Sequence, residues 1–172
     1  MTETNTQKII RLAIVAAVYV VLTIAFSFMS YGNIQFRIAE ILILLCFFRK
    51  DYIIAVSLGC FIANLFSPLG IIDAVFGTLA TVTSGLLVSF CKNITVAGIY
   101  PVVLNAIIVG LELYFILELP FFINALSVAL GEAVVLLVGI LVFKKLQTNE
   151  AFQEMIKANQ NVRVWLYDIN CN

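Results

Sequence analysis

From Ile9 to Met29 the chain carries one charged residue, Arg11. At 1.5 Å per residue, a run of that length crosses the ~30 Å hydrocarbon core of a bilayer. A soluble domain of 172 residues has too little interior to hide such a run together with the apolar stretches that follow it. Hydrophobic residues make up 63% of the chain and charged residues 12%, where a soluble domain carries about 25% charged residues. The run is not a cleaved leader, because further apolar segments follow it instead of a soluble mature chain. The sequence therefore predicts an all-α integral membrane protein.

Five more apolar segments follow, roughly Phe36–Phe48, Tyr52–Phe66, Ile72–Phe90, Val96–Leu117 and Phe121–Phe143. They are separated by "FRKDY", "SPLG", "CKNIT" and "ELP", each a charged, polar or Pro/Gly break. Six transmembrane helices are expected, with an outer substrate loop between helices 1 and 2. Segments two and three are short for spans, which calls for tilt or a locally thin bilayer. With a cytoplasmic N-terminus, Lys8, Arg11, Arg49, Lys50, Lys92, Lys144 and Lys145 flank the helices inside, against Arg37 alone outside. Under the positive-inside rule both termini are cytoplasmic. The expected organisation is a cytoplasmic N-terminus over residues 1–8, a six-helix membrane domain over 9–145 and a cytoplasmic tail over 146–172. A short surface helix is expected early in that tail.

The chain has no histidine, which removes the commonest metal ligand and general base. Cys46, Cys60, Cys91 and Cys171 have neither metal-ligand nor paired-thiol spacing. No internal repeat, Gly-rich phosphate loop or nucleotide-binding motif is visible, and no nucleic-acid partner is expected. An enzyme is therefore not expected, and neither a catalytic residue, a metal nor a cofactor is assigned.

Polar residues inside the oil carry the information. A charge near the bilayer centre costs roughly 2.5–3.5 kcal/mol, so Arg37, Glu40, Asp73, Glu112 and Glu132 imply a protein-lined polar cavity. Arg37 and Glu40, three apart, have two readings: a pair that locks the segment, or contact with a substrate. Asn64 ties down the "SPLG" turn or faces the cavity. Asp73 fits an N-cap or the cavity wall. Asn105 and Glu112, seven apart, share one helix face two turns from each other. Glu132 lies mid-run, and neither glutamate has a basic residue within helical reach. Arg37 can answer one of them; the second needs a proton or a ligand with donors. Ala13 and Ala17, four apart in "AIVAA", permit close approach of another helix.

The stretches "YGNIQFRIAE", "GCFIANLFSPLGIIDAVFGTLAT", "NAIIVGLELY" and "LPFFINALSVALGEAV" resemble the QueT-type family. These are queuosine-precursor S components, the substrate-binding subunits of energy-coupling factor (ECF) transporters. The resemblance covers about residues 8 to 145 and leaves the tail unexplained. It implies a binding protein in the bacterial plasma membrane that captures a 7-deazaguanine, such as 7-aminomethyl-7-deazaguanine, from outside. It also implies two kinds of partner: a transmembrane T component, against which Ala13 and Ala17 match the family's AxxxA motif, and two ATPase subunits. A guanine-like edge offers parallel N–H donors that a carboxylate accepts in bidentate fashion. Gln35 or Asn105 can read the ring carbonyl, and Tyr31, Phe36 or Phe122 can cover the ring face. Two other readings stay open: an S component for another vitamin, and a small intramembrane assembly protein whose polar residues only join helices.

Overall fold

The computed structural model describes residues 3–27 and 36–158. No strand occurs among the described residues. Helix α1 spans Asn5–Ala25, opened by a capping box in which Thr4 accepts from the Gln7 amide and the Gln7 side chain accepts from that of Thr4. Helix α2, Ile38–Phe48, is 3₁₀ over Ile38–Leu44 and α-helical over Leu45–Phe48. Then come α3 (Tyr52–Asn64), α4 (Ile71–Phe90), α5 (Ile94–Leu117), α6 (Phe121–Leu146) and α7 (Glu150–Met155).

Four of these, α1, α4, α5 and α6, are long and apolar enough to cross a membrane. The expectation of six spans is met only that far, because α2 and α3 are too short to cross on length alone. The expected outer loop lies mostly outside the described residues. Helix α5 breaks its regular hydrogen bonding at Gly98, ahead of Pro101. A proline in the first turn lacks only an amide hydrogen that would be unpaired there anyway.

Helix α3 packs between α1 and α4, while α5 and α6 form a hairpin through Glu118–Pro120. The 3₁₀ part of α2 is wedged into the centre, touching α1, α3, α4 and α6. Its residues Ala39, Glu40, Ile43 and Leu44 are all buried. The outer faces are greasy instead: Ile9, Ile14, Val21, Leu79, Phe115 and Leu141 are exposed. Apolar residues outside and carboxylates inside invert the pattern of a water-soluble bundle and fit a hydrocarbon solvent.

One end of the bundle is closed by aromatics and charges. Phe48 packs against Phe143 and Phe152, whose ring centroids lie 5.9 and 6.1 Å from its own. The tail helix α7 thus contributes Phe152 and the buried Gln153 and Ile156 to the body. The expected short helix is present with Glu150, Ala151, Glu154 and Met155 exposed, and its inner face, continued by Ile156 just past its end, is seated on the body. Beside them, Lys8, Arg11 and Arg49 pair with Glu3 and Asp51 at 2.8 to 3.9 Å.

Candidate functional site

The opposite half of the bundle holds the polar cluster. Arg37 is the N-cap residue of α2 and is not itself helical, with φ −84° and ψ 81°. Its side chain therefore leaves the helix direction and reaches α4, where Nη2 lies 3.5 Å from Asp73 Oδ1. The expected Arg37–Glu40 lock does not form as an ion pair. Glu40 turns to α1 and accepts a 2.6 Å hydrogen bond from the Tyr19 hydroxyl. Asp73 is not the N-cap of α4 either: Gly70 occupies that position with a positive φ of 56°, and Asp73 in the first turn is free to face Arg37.

Asn64, the last residue of α3, is buried and donates through Nδ2 to the Asp73 carbonyl at 3.2 Å and to Cys60 Sγ at 3.3 Å. It ties α3 to α4 directly beneath the Arg37–Asp73 pair. Gly77, one turn after Asp73, leaves the space this needs, since a Cβ there would run into the Asn64 amide and touch Arg37 Nη1.

Helices α5 and α6 supply the other wall. Asn105 and Glu112 are both buried on one face of α5, as their spacing predicts. Asn105 Nδ2 donates to Glu132 Oε1 of α6 at 3.1 Å. Arg37, Asn105, Val109, Val128 and Glu132 line a narrow void without room for a water molecule. Glu112 lies within electrostatic reach of Asp73 and Arg37, and Glu132 within reach of Glu40 and Arg37. One guanidinium therefore stands among four carboxylates, those of Glu40, Asp73, Glu112 and Glu132.

Hydrogen bonding inside this cluster is incomplete. Both Glu112 oxygens, Glu40 Oε2, Asn105 Oδ1, and Arg37 Nε and Nη1 are buried without a hydrogen-bond partner. An unmet buried donor or acceptor costs about 1–3 kcal/mol, more when charged. A cluster with acceptors and donors left over on several helices suits a ligand that brings the complementary groups.

The remaining expected residues divide. Phe36 is half-buried next to Arg37. Phe122 is 84% exposed and packs edge-on against Phe121, so it is not at the void. Tyr31 and Gln35 lie outside the described residues. Ala13 and Ala17 are exposed on α1. No group of residues suited to a metal ion occurs among the described residues.

Tyr19 and Gly77 were missed by sequence reasoning. Tyr19 had a signal, since Ala16, Tyr19 and Thr23 recur at helical spacing and form the buried stripe of α1. A phenol within an apolar run needs a partner for its hydroxyl. Gly77 had none, because its role depends on a side chain from another helix.

A relative from Lactococcus lactis subsp. cremoris (strain MG1363), named "Queuosine precursor transporter QueT", is 36% identical over 161 residues, covering 85% of this chain and 95% of the relative. No solved structure matches the chain. The family described as "QueT transporter" matches residues 9–148, which include the whole buried cluster from Tyr19 to Glu132. The chain is a membrane protein and belongs to the QueT transporter family.

Proposed function

We propose that the chain is the substrate-binding S component of an ECF-type ABC transporter, taking up a 7-deazaguanine precursor of queuosine across the bacterial plasma membrane. The observation that carries the reading is Glu112, a carboxylate buried between α4 and α5 with neither oxygen hydrogen-bonded. A guanine-like edge presents two parallel N–H donors, which a carboxylate accepts together. The surplus of carboxylates over Arg37 favours a ligand carrying an ammonium, as the aminomethyl precursor does. Asn105 Oδ1, also unmet, is an acceptor for a further ring donor. Because the void beside Glu132 has no room for water, loading requires α2, α5 and α6 to part at this end.

In this reading the chain makes six crossings with both termini cytoplasmic. The short helices α2 and α3 complete their crossings in a locally thinned bilayer, which a shorter hydrophobic segment induces at modest cost. The exposed small residues Ala13 and Ala17 on α1 meet the T component, since small residues let helices approach closely in a membrane. ATP is hydrolysed by two separate ATPase subunits, and this chain performs no chemistry.

The test is mass spectrometry of small molecules released from the purified protein, followed by competition binding. A released 7-deazaguanine supports the reading. Displacement by riboflavin, thiamine or biotin makes the chain an S component for another vitamin. Repeatedly ligand-free preparations that bind none of these make the polar cluster a helix-joining device.

A further inference from the structure

A second cavity lies away from the buried cluster, at the charged end of the bundle. It is a groove of about 540 Å³ between α1, the start of α3 and the residues that follow α7. Its ionic end is formed by Glu3, Arg11 and Lys157, and its apolar wall by Ile10, Ile14 and Met155. The apolar wall is open, because Ile10, Ile14 and Met155 are each more than half exposed.

We propose that this groove is a binding site for an anionic phospholipid of the leaflet bordering the N-terminal end of α1. Charge complementarity is the first argument. Glu3 is already answered twice, by Arg11 Nε and by Arg49 Nη1, both at 2.9 Å. Asp51 is held by Lys8 at 3.1 Å and Arg49 at 2.8 Å. Within the groove itself Arg11 and Lys157 outnumber the one carboxylate, Glu3, and the described residues supply no ion pair for Lys157. The Arg11 guanidinium is held in place by Glu3 through Nε and Nη2 and by the Tyr52 ring, whose centroid lies 4.7 Å from Cζ. Basic pockets between membrane helices are suited to anionic lipid headgroups.

The second argument is shape. Past its ionic end the groove continues along α1 over the apolar side chains of Ile10 and Ile14. A free phosphate would use the charged end and leave the apolar wall without a purpose; an acyl chain uses both. The groove is also preformed. The Tyr52 hydroxyl donates to the Ile156 carbonyl at 3.0 Å, and Arg49 Nη1 donates to the Lys157 carbonyl at 3.4 Å. These two bonds pin the chain after α7 to the ends of α2 and α3. The inference is independent of what the buried cluster binds.

Native mass spectrometry of the full-length protein, titrated in detergent with phosphatidylglycerol or phosphatidylcholine, tests it. The expected result is one retained phosphatidylglycerol, held at least about fivefold better than phosphatidylcholine. Lys157→Gln, outside the ion-pair cluster, should lower phosphatidylglycerol retention at least threefold. Ile14→Trp, on the exposed face of α1, should lower retention by filling the groove, and decides the matter if Lys157→Gln does not fold. Equal retention of the two lipids, or retention unaffected by the variants, overturns the proposal. So does displacement of the lipid by excess inorganic phosphate, which would mark a site for the free ion. Retention that emerges only after deletion of residues 159–172 would make the tail the occupant, and overturns it as well.

Discussion

Glu112 and Glu132 differ in what they lack. Glu132 has Asn105 on one oxygen at 3.1 Å, while Glu112 has no hydrogen bond on either. Replacing Glu112 with Gln keeps its volume and puts a donor where a ligand's N–H would point. Deazaguanine binding should weaken more than tenfold in isothermal titration, the equivalent of about 1.4 kcal/mol or more. Glu132→Gln should do the same, and intact binding in both variants would remove the cluster as the pocket. Tyr19→Phe tests a different bond. It leaves Glu40 buried with both oxygens unmet, a loss of about 1–3 kcal/mol readable as a lower thermal unfolding midpoint in detergent. Glu40→Gln should cost less, because a carboxamide oxygen still accepts from Tyr19. The sequence made these carboxylates conspicuous, since each interrupts an apolar run at a known energetic cost. It did not disclose their partners. Tyr19 and Glu40 are 21 residues apart, Asn105 and Glu132 are 27, and Arg37 and Asp73 are 36. The local pairing of Arg37 with Glu40 fails because Arg37 stands before the first helical residue.

Among the elements, α1 is attached by a narrow seam. Its buried residues are Ala16, Tyr19 and Thr23, and they meet α3 at Gly59. A Cβ at Gly59 would lie 2.7 Å from Tyr19 Cβ and 2.9 Å from the Ala16 carbonyl oxygen. Gly59→Ala should therefore push α1 outward and cost about 1–3 kcal/mol, as overpacking does, with the unfolding midpoint as the check. On the opposite face, Ala13 and Ala17 are exposed. Changing both to Leu should abolish co-purification of the T component and leave deazaguanine affinity within about twofold; equal loss of both would mean that the face does not serve docking. Helix ends were largely legible, because Pro, Gly and charged breaks punctuate the apolar runs. The 3₁₀ winding of α2 was not. It lies where four other helices crowd one short segment, a condition that comes from packing and not from local propensity.

The whole molecule has two unlike ends. Buried carboxylates gather between α2, α4, α5 and α6, while the other end is locked by exchanged charges among Glu3, Lys8, Arg11, Arg49 and Asp51. The Arg11 hydrogen bond holds the Glu3 carboxyl below its ordinary range. Burial pushes Asp51 up, but hydrogen bonds from Lys8 and Arg49 outweigh it, so Asp51 also ionises more readily than usual. A carboxyl with a lowered folded-state pKa stabilises the fold above its unfolded value of about 4 and loses that contribution as pH falls through the folded value. Thermal stability should thus hold steady from neutral pH to about 5 and decline below about 4. Asp51→Asn should be less stable at neutral pH and show a smaller acid-induced decline.

By itself the sequence determined the solvent and the problem. Apolar runs longer than a bilayer is thick commit the chain to hydrocarbon, and carboxylates within those runs commit it to a shielded interior. Both follow from one-dimensional spacing and the free energy of transferring a charge out of water. Only the tertiary structure decided how the problem is met: that Arg37 answers Asp73, that Tyr19 answers Glu40, and that Glu112 sits beside Asp73 with no donor on either oxygen. Those outcomes depend on which helix faces which, and on the room left by glycines such as Gly59 and Gly77. Contacts between distant residues are set by the packing of all the helices at once.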